Sequence, residues 1–234
     1  MGNSFKRIPN EAEIKLEPGL FTLRCQGLSA KLHSHNSIQL TLPIGPSVSL
    51  IEQHEVCTGH LIAPGIKHQI SMQSGSIGLI EPHTNLGKQL LSQLNDKPFI
   101  AIESEKCGNN INDWLTSFRQ QQRILSELAA AEKEVYFESD SKRELDSRIQ
   151  TLIRSLDDCF LGECLKPGAW RAQTVAKGLN LSESLFLHLF SENMGIAWRP
   201  FLLWRRLICA VRVLSTGKSA TQVPISQDFP IVRI

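Results

Sequence analysis

Two stretches of the chain carry residue types whose spacing could do chemistry. In the first, His33 and His35 flank one serine. On a β-like run, residues two apart point to the same face, so both imidazoles would share it. Gln39 follows, and His68 comes after a segment that opens with Gly59 and ends in Pro64-Gly65. Imidazoles so placed suit either a metal ion or the lining of a polar pocket. The second stretch runs from Trp170 to Leu214, and its chemistry is that of a surface able to meet nucleic acid.

The elements that position this second stretch are short helices. Ala172, Val175 and Ala176 give one helical stripe, broken at Gly178. Ser182 is a good N-cap, its hydroxyl able to accept from first-turn amides. The helix it opens carries Phe186, Leu189 and Phe190 on one face and stops at Gly195, the residue favoured just past a helix C-terminus. Its other face holds Glu183, Ser184, Leu187, His188 and Ser191. Two short helices across a tight turn make a helix-turn-helix, whose second helix can enter a major groove. A longer helix follows, with Phe201, Leu202, Leu207, Val211 and Leu214 inside and Arg205, Arg206 and Arg212 outside.

The wording is more specific than the spacing. Val175-Ala176, Leu181-Ser182, His188-Leu189-Phe190, Gly195 and Leu203-Trp204-Arg205-Arg206-Leu207 resemble the first helix-turn-helix and linker helix of AraC/XylS-type transcriptional regulators. The resemblance implies base contacts at Ser184, Leu187 and His188. His188 would donate to a guanine or thymine acceptor, and Leu187 would meet a thymine methyl. Arg171, Lys177, Arg199, Arg205 and Arg206 are candidates for phosphate contacts or ion pairs. Arg205 and Arg206 splay about 100° apart on a helix, so one of them is expected to be structural.

The front of the chain resembles a second family. His33-Ser-His35 with Gln39, and Gly59 to Gly65 with His68, are similar to the two cupin motifs. In metal-binding cupins the matching positions supply two histidines, a glutamate and a third histidine. Here a neutral amide stands where the acid would be, a poorer ligand for a divalent cation. The preferred expectation is therefore an effector pocket lined by His33, His35, Gln39 and His68, without metal or other cofactor. The alternative is a metal-dependent cupin enzyme using His33, His35 and His68. No nucleophile elbow, phosphate-binding loop or dinucleotide fingerprint supports an enzyme, and none is expected.

Composition agrees with a globular chain: 41% of the 234 residues are hydrophobic and 21% charged. The N-terminus lacks the apolar core of a signal peptide and no apolar run would span a bilayer, so a cytoplasmic protein without a membrane partner is expected. Six cysteines (25, 57, 107, 159, 164, 209) lack a CxxC pair and are read as buried, reduced thiols. The net charge of +2 is uneven: Lys and Arg exceed Asp and Glu in 143–234 and fall short of them in 1–142. That suits a DNA-reading module joined to a sensor.

In chain order, FTLRC, SIQLTLPI, SVSLIE, HLIAP, HQISM and SIGLIEP read as short strands of a β-sandwich or small barrel. The segment IEPHTNLGKQL at 80–90 resembles the closing segment of the AraC-type β domain, and Leu86 to Leu94 reads as a helix. A strand at Phe99 to Glu103 precedes a turn-rich break and a helical stripe of Trp114, Leu115, Phe118, Leu125 and Leu128. The resemblance implies helices here that pair two subunits in a homodimer, but packing on the chain's own β domain is the preferred reading. The predicted fold is thus α+β in two domains. Residues 1–138 form a cupin-like sensor with a trailing helix, and 139–234 form an all-α helix-turn-helix domain that binds double-stranded DNA. That domain opens on a helix with Leu145, Ile149, Leu152, Ile153 and Leu156 inside.

The end departs from the AraC pattern. Gly217 to Val223 opens a second helix-turn-helix, but Pro224 then breaks it and PISQDFPIVRI follows. One permitted codon set for Pro224 to Ile234, with a single G restored before it, reads Ala-His-Gln-Pro-Gly-Phe-Ser-Asp-Ser-Ala-His. That text resembles the second unit of the family, so residues 224–234 are expected to be out of frame, with DNA binding weakened by the missing half. A non-functional gene product is the remaining alternative, and the coding DNA decides it.

Overall fold

The computed structural model describes residues 12–102, 110–133, 145–161 and 170–215. By their contacts the residues fall into two compact units, 1–142 and 143–234. The 138/139 boundary, the second helix-turn-helix of residues 217–234, and Cys107 and Cys164 lie outside the described residues.

The front unit is built on one antiparallel sheet of β1 (Glu13–Glu17), β2 (Leu20–His33), β3 (Ile38–Ile51), β4 (His54–Val56), β5 (Gly59–Ile62), β6 (His68–Ile80) and β7 (Phe99–Ile102). The strand order is β1-β2-β6-β3-β5-β7, with β4 paired to β3. The strands join in a single connected sheet that curls back on itself. Gln39 pairs with Leu79 and His68 with Ile51, yet the Gln39 and His68 side chains meet at 3.1 Å, in keeping with the sandwich or small barrel expected from the sequence. SIQLTLPI and SVSLIE are one strand, β3, and HQISM and SIGLIEP are one strand, β6. They pair along their length, from Ile38↔Ile80 to Ile51↔His68, with a register shift between Ile44 and Ser47. What read as turns is a bulge that bends a continuous ladder. β1, which the sequence reading passed over, is a charged edge strand whose Ile14 and Leu16 are half-buried. Its glutamates and lysine suit an unpaired edge.

Alternation along β3 separates two faces. Ile38, Leu40 and Leu42 join Leu61 and Ile80 under α1 (Asn85–Leu94) and the start of α2 (Ile111–Lys133), where Leu90, Leu94, Ile111, Trp114, Leu115 and Phe118 complete the core. Thr84 caps α1, its hydroxyl accepting from the Gly87 amide at 3.0 Å. The early part of the α2 stripe thus packs on its own unit, while Leu125 is exposed. Gln39 and Thr41, between the core leucines, face the other way, opposite Leu79 and Ile77 of β6.

The second unit is helical: α3 (Ser147–Leu161), α4 (Ala172–Gly178), α5 (Glu183–Met194) and α6 (Trp198–Ser215). Its core joins Ile149, Leu152, Ile153 and Leu156 of α3 to Val175, Ala176, Phe186, Phe190, Trp198 and Phe201. Phe190 meets Trp198 edge-on at 4.9 Å and Phe201 at 5.3 Å. Of the three cysteines whose surroundings are described, Cys25 is buried, Cys209 half-buried and Cys57 exposed. The expectation of burial therefore fails at Cys57, which follows the short strand β4 at the sheet margin. Among the described residues, no helix is long and apolar enough to cross a membrane.

Candidate functional site

The histidines come together, though not as strand alternation places them. β2 ends at His33, and a register shift after Ala30 sets His33 opposite His68 of β6. His35 lies beyond the strand, in the connection to β3, so the expected His33/His35 alternation is corrected. The connection nevertheless returns the ring: His33–His68, His35–His68 and His33–His35 centroids are 4.4, 5.1 and 5.7 Å apart. One ligand nitrogen from each lies within 4.8 Å of the other two.

Each ring is aimed by the backbone. His33 Nδ1 donates to the Lys31 carbonyl at 2.7 Å, His35 Nδ1 to Ser37 at 3.0 Å and His68 Nδ1 to Ile66 at 2.9 Å. A carbonyl only accepts, so each Nδ1 carries the proton and each Nε2 of a neutral ring keeps a lone pair. The carboxamide of Gln39 sits 3.0 Å from His35 Nε2 and 3.1 Å from His68 Nε2, and its other end reaches Thr41 Oγ1 at 3.2 Å. Burial grades across the group, from exposed His33 through half-buried His35 to buried Gln39 and His68.

His60, which the sequence reading did not single out, belongs to this neighbourhood. It pairs with Thr41 across β5 and β3 and is buried. Its Nδ1 donates to Thr58 at 2.9 Å, and its Nε2 has no hydrogen-bond partner among the described residues. The signal that could have found it is its place in the Gly59 to Gly65 motif, flanked by Leu61 and Ile62.

Burial pushes the imidazoles toward the neutral form. His68 falls from 6.5 to about 4, first through loss of solvent and then through the charges of His35, His33 and His60. Burial also lowers His35, against the Gln39 contact, and lowers His60. The unfolded chain binds protons on these rings near pH 6.5, whereas the folded chain resists until lower pH. Stability is therefore full above about pH 6.5 and is lost as pH falls toward 4, with His68 contributing about 3 kcal/mol of the change. Urea unfolding at pH 7.5, 6 and 5, in chelator, should show this slope, and His68→Gln should flatten it. A wild-type chain equally stable at pH 7.5 and 5 would contradict it.

The second candidate surface lies on α5. Ser182 Oγ accepts from the Leu185 amide at 3.2 Å, and Gly195 ends the helix at φ 67°. Phe186 and Phe190 turn inward, which leaves Ser184, Leu187 and His188 exposed together. His188 Nε2 stands 3.4 Å from a Glu192 carboxylate oxygen, placing one acid at this face. Arg171, Lys177 and Arg199 are exposed. Arg205, expected to contact phosphate, is not available: its guanidinium is buried, paired with Asp157 of α3 and stacked 5.1 Å over the Phe201 ring.

No protein-family model matches the chain, and no curated protein matches it. Among solved structures, it is similar to the unsaturated fatty acid-bound wild-type ToxT from Vibrio cholerae strain SCE256. The identity is 12% and the TM-score 0.37, over 90% of this chain and 83% of that one.

Proposed function

We propose that the protein is a DNA-binding transcriptional regulator of the AraC/XylS type, with α5 as the reading helix and the front β unit as its sensor for a small effector. The observation that carries this is the division of α5. Phe186 and Phe190 fix the helix in a core, while Ser184, Leu187 and His188 stand exposed on its outer side. A helix so held meets base edges without refolding, and Arg171, Lys177 and Arg199 supply cations for the flanking phosphates.

The test is selection of the full-length chain against random double-stranded DNA, followed by salt titration on the selected site. Three phosphate contacts give a slope of log K against log salt of about −3. Lys177→Ala should weaken binding to every sequence alike and reduce that slope by about one. His188→Ala should cost about 1–3 kcal/mol and relax the preference at one base pair. Absence of salt-dependent binding to any duplex would end the regulator reading.

A further inference from the structure

We propose that the cleft between the β1–β2–β6 corner of the sheet and the start of α2 binds a phosphate group, free or at the end of a small monoester. Its floor is two rows of cross-strand partners on one face. Glu13, Arg24 and Ser76 make the first row, and Lys15, Thr22 and Gly78 the second. Elsewhere this face carries the apolar core of the front unit, through Ile38, Leu40 and Leu42. Gly78 lets the roof come close: a Cβ there would stand 3.2 Å from Ile111 Cδ1. That contact seats the first turn of α2 over the rows, where Asn110 and Asn112 line the opening. The space is about 240 Å³ and partly open to solvent.

Two independent features point to an anion. Ser76 lies at the floor, 3% exposed, and its hydroxyl has no hydrogen-bond partner among the described residues. A buried hydroxyl left unpaired carries a cost that a ligand oxygen accepting its proton would remove. The roof is the N-terminus of a 23-residue helix, whose first-turn amides and positive dipole end favour negative charge. Asn110 Oδ1 already accepts from the Asn112 amide at 2.9 Å, which leaves the Asn110 NH2 to donate elsewhere. On the rim Lys15 is held to Glu13 at 3.1 Å, whereas exposed Arg24 makes no ion pair among the described residues. Glu13 apart, the polar groups around this space are donors, and they come from floor, roof and rim. That arrangement suits a tetrahedral group with acceptors on every side better than a flat carboxylate. These residues all belong to the front unit and lie on the face opposite Gln39 and Thr41, so the site stands or falls apart from DNA reading.

The full-length chain is titrated with sodium phosphate at constant ionic strength and followed by the backbone amide shifts of Arg24, Ser76 and Asn112. Saturable shifts are expected with phosphate and with glycerol phosphate, and none with acetate at equal concentration. Tighter binding of glycerol phosphate assigns the ligand as a monoester, and equal binding assigns the free ion. Ser76→Ala should weaken binding about tenfold or more. Its urea midpoint should stay level or rise, because the change removes an unpaired hydroxyl; a hydroxyl with only a structural role would move stability and leave phosphate affinity alone. Arg24→Gln, at an exposed position, should weaken binding by about the same factor. Glu13→Gln, which removes the opposing charge, should tighten it about two- to fivefold. Absence of saturable shifts with phosphate overturns the proposal, as does acetate matching phosphate, or an affinity that Ser76→Ala and Arg24→Gln both leave unchanged.

Discussion

Phe190→Ala is expected to destabilise the helical unit by about 3–5 kcal/mol, enough to remove most of the stability of a domain this small. Phe190 is fully buried and sits at the meeting point of Phe186, Trp198 and Phe201, with ring centroids 5.9, 4.9 and 5.3 Å away. Removing it deletes aromatic contacts from both α5 and α6 and opens a cavity that the neighbouring rings cannot fill without leaving their edge-on geometry. Urea unfolding of the full chain, followed by hydrogen exchange at α5 amides, measures the loss. Phe190→Leu keeps most of the volume and should recover all but about 1–2 kcal/mol. The DNA-binding reading makes a linked demand: Phe190→Ala should lose salt-dependent DNA binding at temperatures where Phe190→Leu retains it. A loss below about 1 kcal/mol in the alanine variant would show that the inner face of α5 is not the core of this unit.

This unit was legible because its signals are local. A serine cap, two phenylalanines four residues apart and a glycine with positive φ all lie within α5 and its ends, and helical spacing alone assigns them to faces. Arg205 shows where local reading stops. Its position on α6, one helical turn after Phe201, sets it over that ring, and its carboxylate partner lies 48 residues earlier. Nothing near Arg205 in the chain announces Asp157. Between two adjacent arginines, spacing says that they diverge but not which one turns inward.

The front unit was legible in composition and illegible in continuity. Gly45-Pro46 and Ser74-Gly75 have the text of turns, and the reading cut the chain at both. In the folded protein the two lie close together in the paired strands, with Ile44 opposite Ser74 and Pro43 opposite Gly75. Each breaker is tolerated because the other is there: a bulge needs residues that forgo regular pairing. The phase of the pattern keeps the trace. Along β6 the residues of one core cluster are Ile70 and Met72, then Ile77, a change from even to odd numbers across Gly75. Along β2 the packed residues pass from Leu23 and Cys25 to Leu28 and Ala30 across Gly27. A change of phase inside an alternating run marks a bend as well as an end, and sequence alone does not choose between them. The histidine cluster suffered in the same way, since His35 reaches it from a connection and His33 through a register shift.

Gly75→Ala is therefore expected to be the most damaging single-methyl change in the sheet, costing about 3 kcal/mol or more. Gly75 holds φ at 152°, which side-chain-bearing residues rarely adopt. A Cβ there would stand 2.6 Å from the Leu42 carbonyl oxygen, 2.9 Å from Pro43 Cα and 3.0 Å from Met72 Sδ. The first two are backbone atoms of the strand that carries Gln39 and Thr41, so relief requires β3 and β6 to part. Gly65→Ala is the control: it also has positive φ, 79°, but its Cβ would meet nothing within 4 Å. It should lose only the backbone strain, about 1 kcal/mol. Thermal unfolding of both variants, with exchange at β3 and β6 amides, separates strain from collision. The geometry adds a chemical consequence: parting the strands at Gly75 also loosens the pairing of Gln39 with Leu79 and of Ile51 with His68. Gly75→Ala should then speed amide exchange along the β3–β6 pairing toward both Gln39 and His68, whereas Gly65→Ala should leave that pairing near wild type. Equal stability of the two variants would mean that Leu42 and Pro43 yield freely, and that this bulge does not hold the sheet in its bent course.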